Sequence, residues 1–358
     1  MHIIFEGVLP RHIKALVRYC ISQKRFFTLQ QLNTQISIFK YGYSEKMNKP
    51  RPIDRDHLTA EDKKIVQSAS QMWLLGRLLP LMVGEFVPND DPHWICYLGL
   101  LSVMVLCTAF EFTSDSIETL QLSIEDYLLR YNQLYPNSIA PKFHYLLHLP
   151  TQARLFGPLR HQWCMRFEAK NSQLKQFVGK NFKNLPKTIA ERHQNYMCMH
   201  LLPSPGVERT NFLYSGDEIH KVDEYPLESF HPSQLKAIIM TTFPNKLFLP
   251  VSSCVKCLGQ EFRPSGVICL KKPEDTDYPI FGEIRHVVVV RDSIYVAAQL
   301  YTTLGFNYHY YSYEVCLDNT YSVVLVSQLA LYQVLHKYTI NLQTLIVVRS
   351  CDHIEFFV

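Results

Sequence analysis

The chain has 358 residues, 47% hydrophobic and 19% charged, with a formal net charge of +4. That composition excludes wholesale disorder, collagen and a coiled-coil rod, and the length leaves room for two cores at roughly 150 residues per domain. The mild positive charge names no partner by itself, and ten cysteines is ordinary usage rather than a disulfide scaffold.

The first half reads as helices. Residues 3–20 place Ile4, Val8, Ile13, Leu16 and Val17 at helical spacing, with Pro10 early enough to cause only a kink. Glu6, Pro10 and Arg11 interrupt any apolar leader, so no cleavable signal is expected. Thr28 suits the cap of a helix through Phe39, and Thr59 with Glu61 and Asp62 suits the start of one running towards Val83. Between them, Tyr41 to His57 reads as a basic loop. Asp91-Pro92 opens an apolar helix at a position where proline is tolerated.

That helix contains 17 uncharged residues, Trp94 to Phe110. A membrane span wants about 20, and acidic residues flank the run with no adjacent lysine or arginine to anchor it. A buried core helix is therefore expected, with a span as the alternative. Ser114 or Asp115 suits the cap of the next helix, which Pro136 closes.

Residues 1–205 form the expected helical region and 206–245 an acidic linker. From residue 246 to 358 the pattern turns to period two. Strands are predicted at 246–251, 266–270, 282–290, 293–300, 308–315, 321–326, 345–348 and 354–358, with Arg291-Asp292 as a hairpin turn. The expected fold class is thus α+β, a helical N-terminal region followed by a small mostly-β barrel.

The chemistry concentrates between Lys142 and Arg192. His144 and His148 are spaced i, i+4, which suits either a metal grip or two separate hydrogen bonds. Glu168 reads as a surface ion-pair partner or as a Mg²⁺ ligand. Around it lie Arg154, Arg160, Arg166, Lys170, Lys175, Lys180, Lys183, Lys187 and Arg192, against only two acids, Glu168 and Glu191. The cations are interleaved with Trp163, Phe167, Phe177 and Phe182. Such a segment can neutralise phosphates and stack bases, or can form a solvated face balanced by the acidic linker. Cys254-x-x-Cys257, with Cys269 and His231, has irregular zinc spacing and reads as either thiols or ligands. The motifs of P-loop, serine-hydrolase, dinucleotide and zinc-protease chemistry do not occur.

The stretch FHYLLHLPTQARLFGPLRHQWCMRFEAKNSQLKQFVGKNFKN resembles the C-terminal segment of CACTA-type (En/Spm-like) DNA transposases. The likeness rests on His148-Leu149-Pro150, Gly157-Pro158, Trp163 and Phe167-Glu168, followed by the basic helix. The start, MHIIFEGVLP, resembles the family segment in which Asp-x-Met-His precedes a Leu/Glu-Gly-Val run. The match covers about residues 1–200.

The resemblance implies an RNase H-like recombinase that holds two divalent cations on three acids. Residues 1–205 would be its helical insertion and the C-terminal part of its core. Glu168 would be the third acid, and His2, His144 and His148 would correspond to zinc-binding positions. Mg²⁺ and structural zinc are the implied metals, DNA the implied partner and the nucleus the implied location. The other two acids have no counterpart in this sequence, which points to a chain that binds DNA without cutting it; the alternatives are the C-terminal portion of an active Mg²⁺-dependent transposase and a non-catalytic chromatin- or peptide-binding adaptor. The β half resembles the SH3/BAH-like or Tudor-like barrels that follow such cores. There the tyrosine-rich stretch Phe306 to Tyr313 would either line an aromatic groove for a protein partner or pack as a sheet.

Overall fold

Local sequence rules set most of the helical half. In the computed structural model, residues 2–61, 64–136, 138–177, 184–201, 218–257, 259–271, 278–291 and 293–349 are described. A π-helical turn, Ile4–Val8, runs directly into α1 (Leu9–Arg18), with Pro10 at its second residue. Thr28 caps α2 (Leu29–Ile38) through a reciprocal box with Gln31. The helix expected from Thr59 is divided. A short α3 (Arg55–Thr59) ends there, and α4 (Ala69–Val83) starts at Ser68, whose side chain and Gln71 close the capping box that Thr59 lacks.

Asp91 caps α5 (Pro92–Cys107) by accepting from the amides of His93 and Trp94. This 16-residue helix is about 24 Å long, short of a bilayer's roughly 30 Å. It is a core helix: Trp94, Tyr97, Leu100 and Met104 are fully buried. No helix among the described residues is long and apolar enough to cross a membrane. Thr113 caps α6 (Ser114–Leu134), one residue before the expected cap. Then follow α7 (Pro141–Leu146), α8 (Leu149–Phe156), α9 (Met165–Gln176) and α10 (Leu185–Leu201).

The expected linker is folded over its described part. Glu218–Pro226 forms β1, and α11 (Ser233–Thr242) lays Leu235 and Ile239 on the sheet. The strand register, not composition, decides this: β1 pairs residue for residue with β2 (Phe248–Cys257). The remaining strands are β3 (Gln260–Phe262), β4 (Val267–Lys271), β5 (Ile280–Val290), β6 (Ser293–Asn307), β7 (Ser312–Leu325), β8 (Leu331–Leu335), β9 (Lys337–Ile340) and β10 (Gln343–Ile346).

The sheet is antiparallel, in the order β1-β2-β5-β6-β7-β10-β9, with β4 bridging β5 to β8. Register shifts within β5–β6 and β6–β7 mark bulges, which bend strands and curl a sheet. The result is a curled half-barrel behind a helical half, an α+β arrangement. Arg291, in the left-handed region at φ 54°, makes the expected β5–β6 turn.

Two predicted strands, 308–315 and 321–326, are differently built. The second is the end of one long β7, and Tyr308–Tyr311 is the turn before it, with Tyr311 at φ 50°. This turn docks the two halves instead of lining a groove. His309 Nε2 lies 2.8 Å from the Gly84 carbonyl, the Trp94 indole donates to the His309 carbonyl, and Tyr311 donates to Ser102. The predicted strand 354–358 lies outside the described residues. One apolar core runs through both halves, joining Leu100, Leu101 and Met104 to Phe281, Tyr301, Tyr313 and Val347.

Candidate functional site

The π-helical turn at the start of the chain buries Ile4, Phe5 and Val8 and leaves His2 and Glu6 at the surface. These two are one turn apart, and His2 Nδ1 lies 2.5 Å from Glu6 Oε2. The other ring nitrogen, Nε2, faces Glu168 Oε1 at 3.4 Å. Glu168 sits in the first turn of α9, where the helix dipole favours a carboxylate. Cys164 occupies the N-cap position of the same helix, four residues earlier. The ligand atoms of His2, Cys164 and Glu168 lie within 4.8 Å of one another, the one such three-residue cluster found among the described residues.

Lys142, on α7, donates to the main-chain carbonyls of His2 at 2.9 Å and Glu6 at 3.3 Å, fixing the turn that carries both. Its aliphatic stem crosses Gly7, where an added Cβ would lie 2.3 Å from Lys142 Cδ.

This cluster unites two of the residues singled out in the sequence, His2 and Glu168. Cys164 was missed, although its i, i+4 spacing to Glu168 was a usable signal. Glu6, which falls in the Glu-Gly-Val run of the family likeness but has no metal role there, is the carboxylate beside His2 Nδ1. His144 and His148 are not part of the cluster. They do not share one helix either: α7 ends at Leu146 and His148 precedes α8. Even so, their Nε2 atoms face each other at 3.2 Å. Cys254 and Cys257 are half-buried on β2, Cys269 is buried on β4, and none of them joins the cluster.

The predicted cations divide. Arg154, Lys170, Lys175, Lys187 and Arg192 are exposed on α8, α9 and α10. Lys187 pairs with Glu191, and Arg192 donates to the Phe177 carbonyl, which joins α10 to the end of α9. Arg160 is differently placed. It is half-buried, with its guanidinium 3.7 Å from the Phe110 ring centre and 5.1 Å from that of Trp163. Arg166 lies on α9. Lys180, Lys183 and Phe182 lie outside the described residues. The acidic segment makes ion pairs of its own, Asp223 with Lys221 and Glu228 with Lys236.

Next to Arg160 a groove of about 500 Å³ is walled by Phe110, Trp163, Phe167 and Tyr332. Phe167 is 74% exposed, so a flat ring stands free at the edge of the basic helix.

Compared with known proteins, the chain matches no curated protein and no solved structure. Residues 107–205, under a third of the chain, match a family described as a domain of unknown function (DUF4218). That match spans Cys164, Glu168, the histidine pair and the described cations, and stops short of the sheet.

Proposed function

We propose that this chain is a transposase-derived DNA-binding protein of the nucleus, working through α8–α10 and without strand cleavage. The observation that carries the reading is the set of exposed cations Arg154, Lys170, Lys175, Lys187 and Arg192 beside the open ring of Phe167. Cations on adjacent helices neutralise phosphates, and an exposed aromatic offers a stacking face to an unpaired base. In this reading the helical half is the insertion and C-terminal part of an RNase H-like core. The curled sheet is an SH3/BAH-like appendage with a protein partner of its own.

The cluster of His2, Cys164 and Glu168 fits zinc better than Mg²⁺. Imidazole and thiolate suit a borderline metal, whereas Mg²⁺ takes oxygen ligands in octahedral geometry. Two ligands on a tetrahedral zinc stand about 3.3 Å apart, close to the 3.4 Å between His2 Nε2 and Glu168 Oε1. Metal-bound histidines commonly give their second N–H to a carboxylate, and Glu6 stands at His2 Nδ1. Zinc here would tie the N-terminal turn to α9 and leave Glu168 a structural ligand rather than half of a two-metal centre.

The test is the salt dependence of DNA binding, followed by fluorescence anisotropy on the full chain. Log affinity should fall linearly with log salt, and the triple variant Lys170→Gln, Lys175→Gln, Lys187→Gln should flatten that slope by roughly one unit per lysine removed. An affinity indifferent to salt, or an unchanged slope in the variant, would remove the reading. Mg²⁺-dependent nicking abolished by Glu168→Gln would replace it with a catalytic one.

A further inference from the structure

Where the helical half meets the sheet, a cavity of about 160 Å³ opens between α4, the turn after Gly42 and the end of β10. That is far above the ~10–15 Å³ that one water requires. Three guanidinium groups line it, Arg77, Arg160 and Arg349, with Glu45 as the only acid. The wall therefore carries a net charge of +2. Ser44, Ser70 and Gln333 supply further polar groups.

Part of this wall is an internal network. Arg77 Nη2 donates to Glu45 at 3.3 Å, Arg349 approaches the same carboxylate at 3.8 Å, and Arg349 also donates to Ser44. The network leaves Arg77 incomplete. Its side chain is over nine-tenths buried, and its Nε and Nη1 have no hydrogen-bond partner. Buried donors without acceptors are rare in native proteins and call for an explanation. Nε and Nη1 point to opposite edges of the guanidinium, so an oxyanion reaching Arg77 would take a single charge-assisted hydrogen bond from it while Nη2 stays with Glu45.

The cavity and the aromatic groove share part of their walls: Phe110, Arg160 and Gln260 line both. An anion held by Arg77 and Arg160 would therefore have a ring-sized neighbour against Trp163, Phe167 or Tyr332. A phosphate joined to a nucleobase has that shape and charge. A dicarboxylate would match the cavity but leave the groove empty.

We infer that the arginine-lined cavity between the two halves binds the terminal phosphate of a nucleotide, with its base in the adjoining aromatic groove. The nucleotide is either free or the 5′ end of a DNA strand. The second source rests on the DNA-binding reading; the first does not.

The experiment compares three probes on the full chain by calorimetry: deoxyadenosine monophosphate, a short 5′-phosphorylated single strand, and the same strand with a 5′-hydroxyl. The phosphorylated strand should bind at least tenfold tighter than its hydroxyl counterpart, and millimolar inorganic phosphate should erase the difference. Arg160→Gln should also erase it, and because Arg160 is only half-buried, this variant tests the site if Arg77→Gln fails to fold. Monophosphate binding without any binding of the strands supports the cavity with a free nucleotide as its ligand and defeats the DNA reading alone. Equal affinity for both strands, with no monophosphate binding, overturns the cavity while leaving the DNA reading intact.

Discussion

Lys142 reaches across 140 positions of chain to donate a hydrogen bond to the main-chain carbonyl of His2. The contact ties α7 to the first turn of the protein, so the geometry of the metal-type cluster depends on a lysine that offers it no ligand. Gly7 makes the crossing feasible, since a Cβ there would strike both the Lys142 stem and the His2 carbonyl. Gly7→Ala should displace Lys142, loosen His2 and weaken zinc binding while the core beneath, Phe5 and Val8, stays buried. Competition with a chelator measures the affinity and thermal unfolding the fold. Unchanged zinc affinity in a folded variant would show that Lys142 does not position His2.

Glu6 acts on the same imidazole more directly. With zinc bound, its carboxylate would accept from Nδ1 and so turn the Nε2 lone pair to the ion between His2, Cys164 and Glu168. Removing such a carboxylate generally lowers metal affinity by about 10–100-fold. Glu6→Gln should fall in that range. Cys164→Ser, which removes a ligand, should be more damaging still. If Glu6→Gln and wild type bind zinc equally, Glu6 is only a surface neighbour.

How much of this was legible in the sequence follows from the range of each interaction. The Thr28 cap, the Asp91-Pro92 start and the Arg291 turn are local and were readable. The buried apolar helix followed from its length and its flanks. The cluster was only partly readable, because Glu168 stood out as an acid among cations, His2 came from a family likeness and Cys164 from neither source. Glu45 was invisible: it lies in a stretch that reads as a basic loop, yet it is 3% exposed. Its partners, Arg77, Tyr338 and Arg349, are 32, 293 and 304 residues away and are assembled only by the fold. The tyrosine-rich stretch does pack, as one of its two readings has it, but its docking contacts with Gly84, Trp94 and Ser102 are long-range and so were not visible.

Glu45 is where a single substitution should be most costly to stability. Burial alone would raise its pKa, but Arg77, Arg349, His336 and the Tyr338 hydroxyl outweigh burial and hold it below the usual carboxylate range. Glu45→Gln would leave a fully buried guanidinium without its counter-charge. Breaking a buried pair in this way costs about 3–5 kcal/mol, which urea unfolding would register as a shift in midpoint. A shift under about 1 kcal/mol would show that Arg77 finds another anion, as the proposed phosphate would supply.

Acid should destabilise the fold well above the carboxylate range. Burial, with a smaller contribution from His93, lowers His12 from its ordinary 6.5 to about 3. The ring lies among Tyr97, Tyr127, Tyr131 and Tyr135 and is held by the Tyr127 hydroxyl. His336 is lowered to about 4, again chiefly by burial. In both cases the unfolded chain binds a proton that the folded chain refuses. Stability is therefore fully present above pH 6.5 and is lost as pH falls from there towards 4, by about 1.4 kcal/mol per unit for each histidine. His12→Phe should lower that slope by about 1.4 kcal/mol per unit between pH 6.5 and 4.5. An identical slope in the variant would assign the acid sensitivity elsewhere.

Phe167 separates binding from folding more cleanly than any cation does. It is 74% exposed, so truncating it removes little buried area, and Phe167→Ala should change stability by no more than about 0.5 kcal/mol. If its ring stacks on an unpaired base, the same change should weaken single-strand binding by about 1–3 kcal/mol. Duplex binding should barely respond, because paired bases are already stacked on one another and meet the protein through their phosphates. Equal losses on single strands and duplexes would mean that Phe167 shapes α9 rather than contacting a base. The neighbouring lysines cannot make this distinction, since removing any of them weakens both kinds of DNA alike.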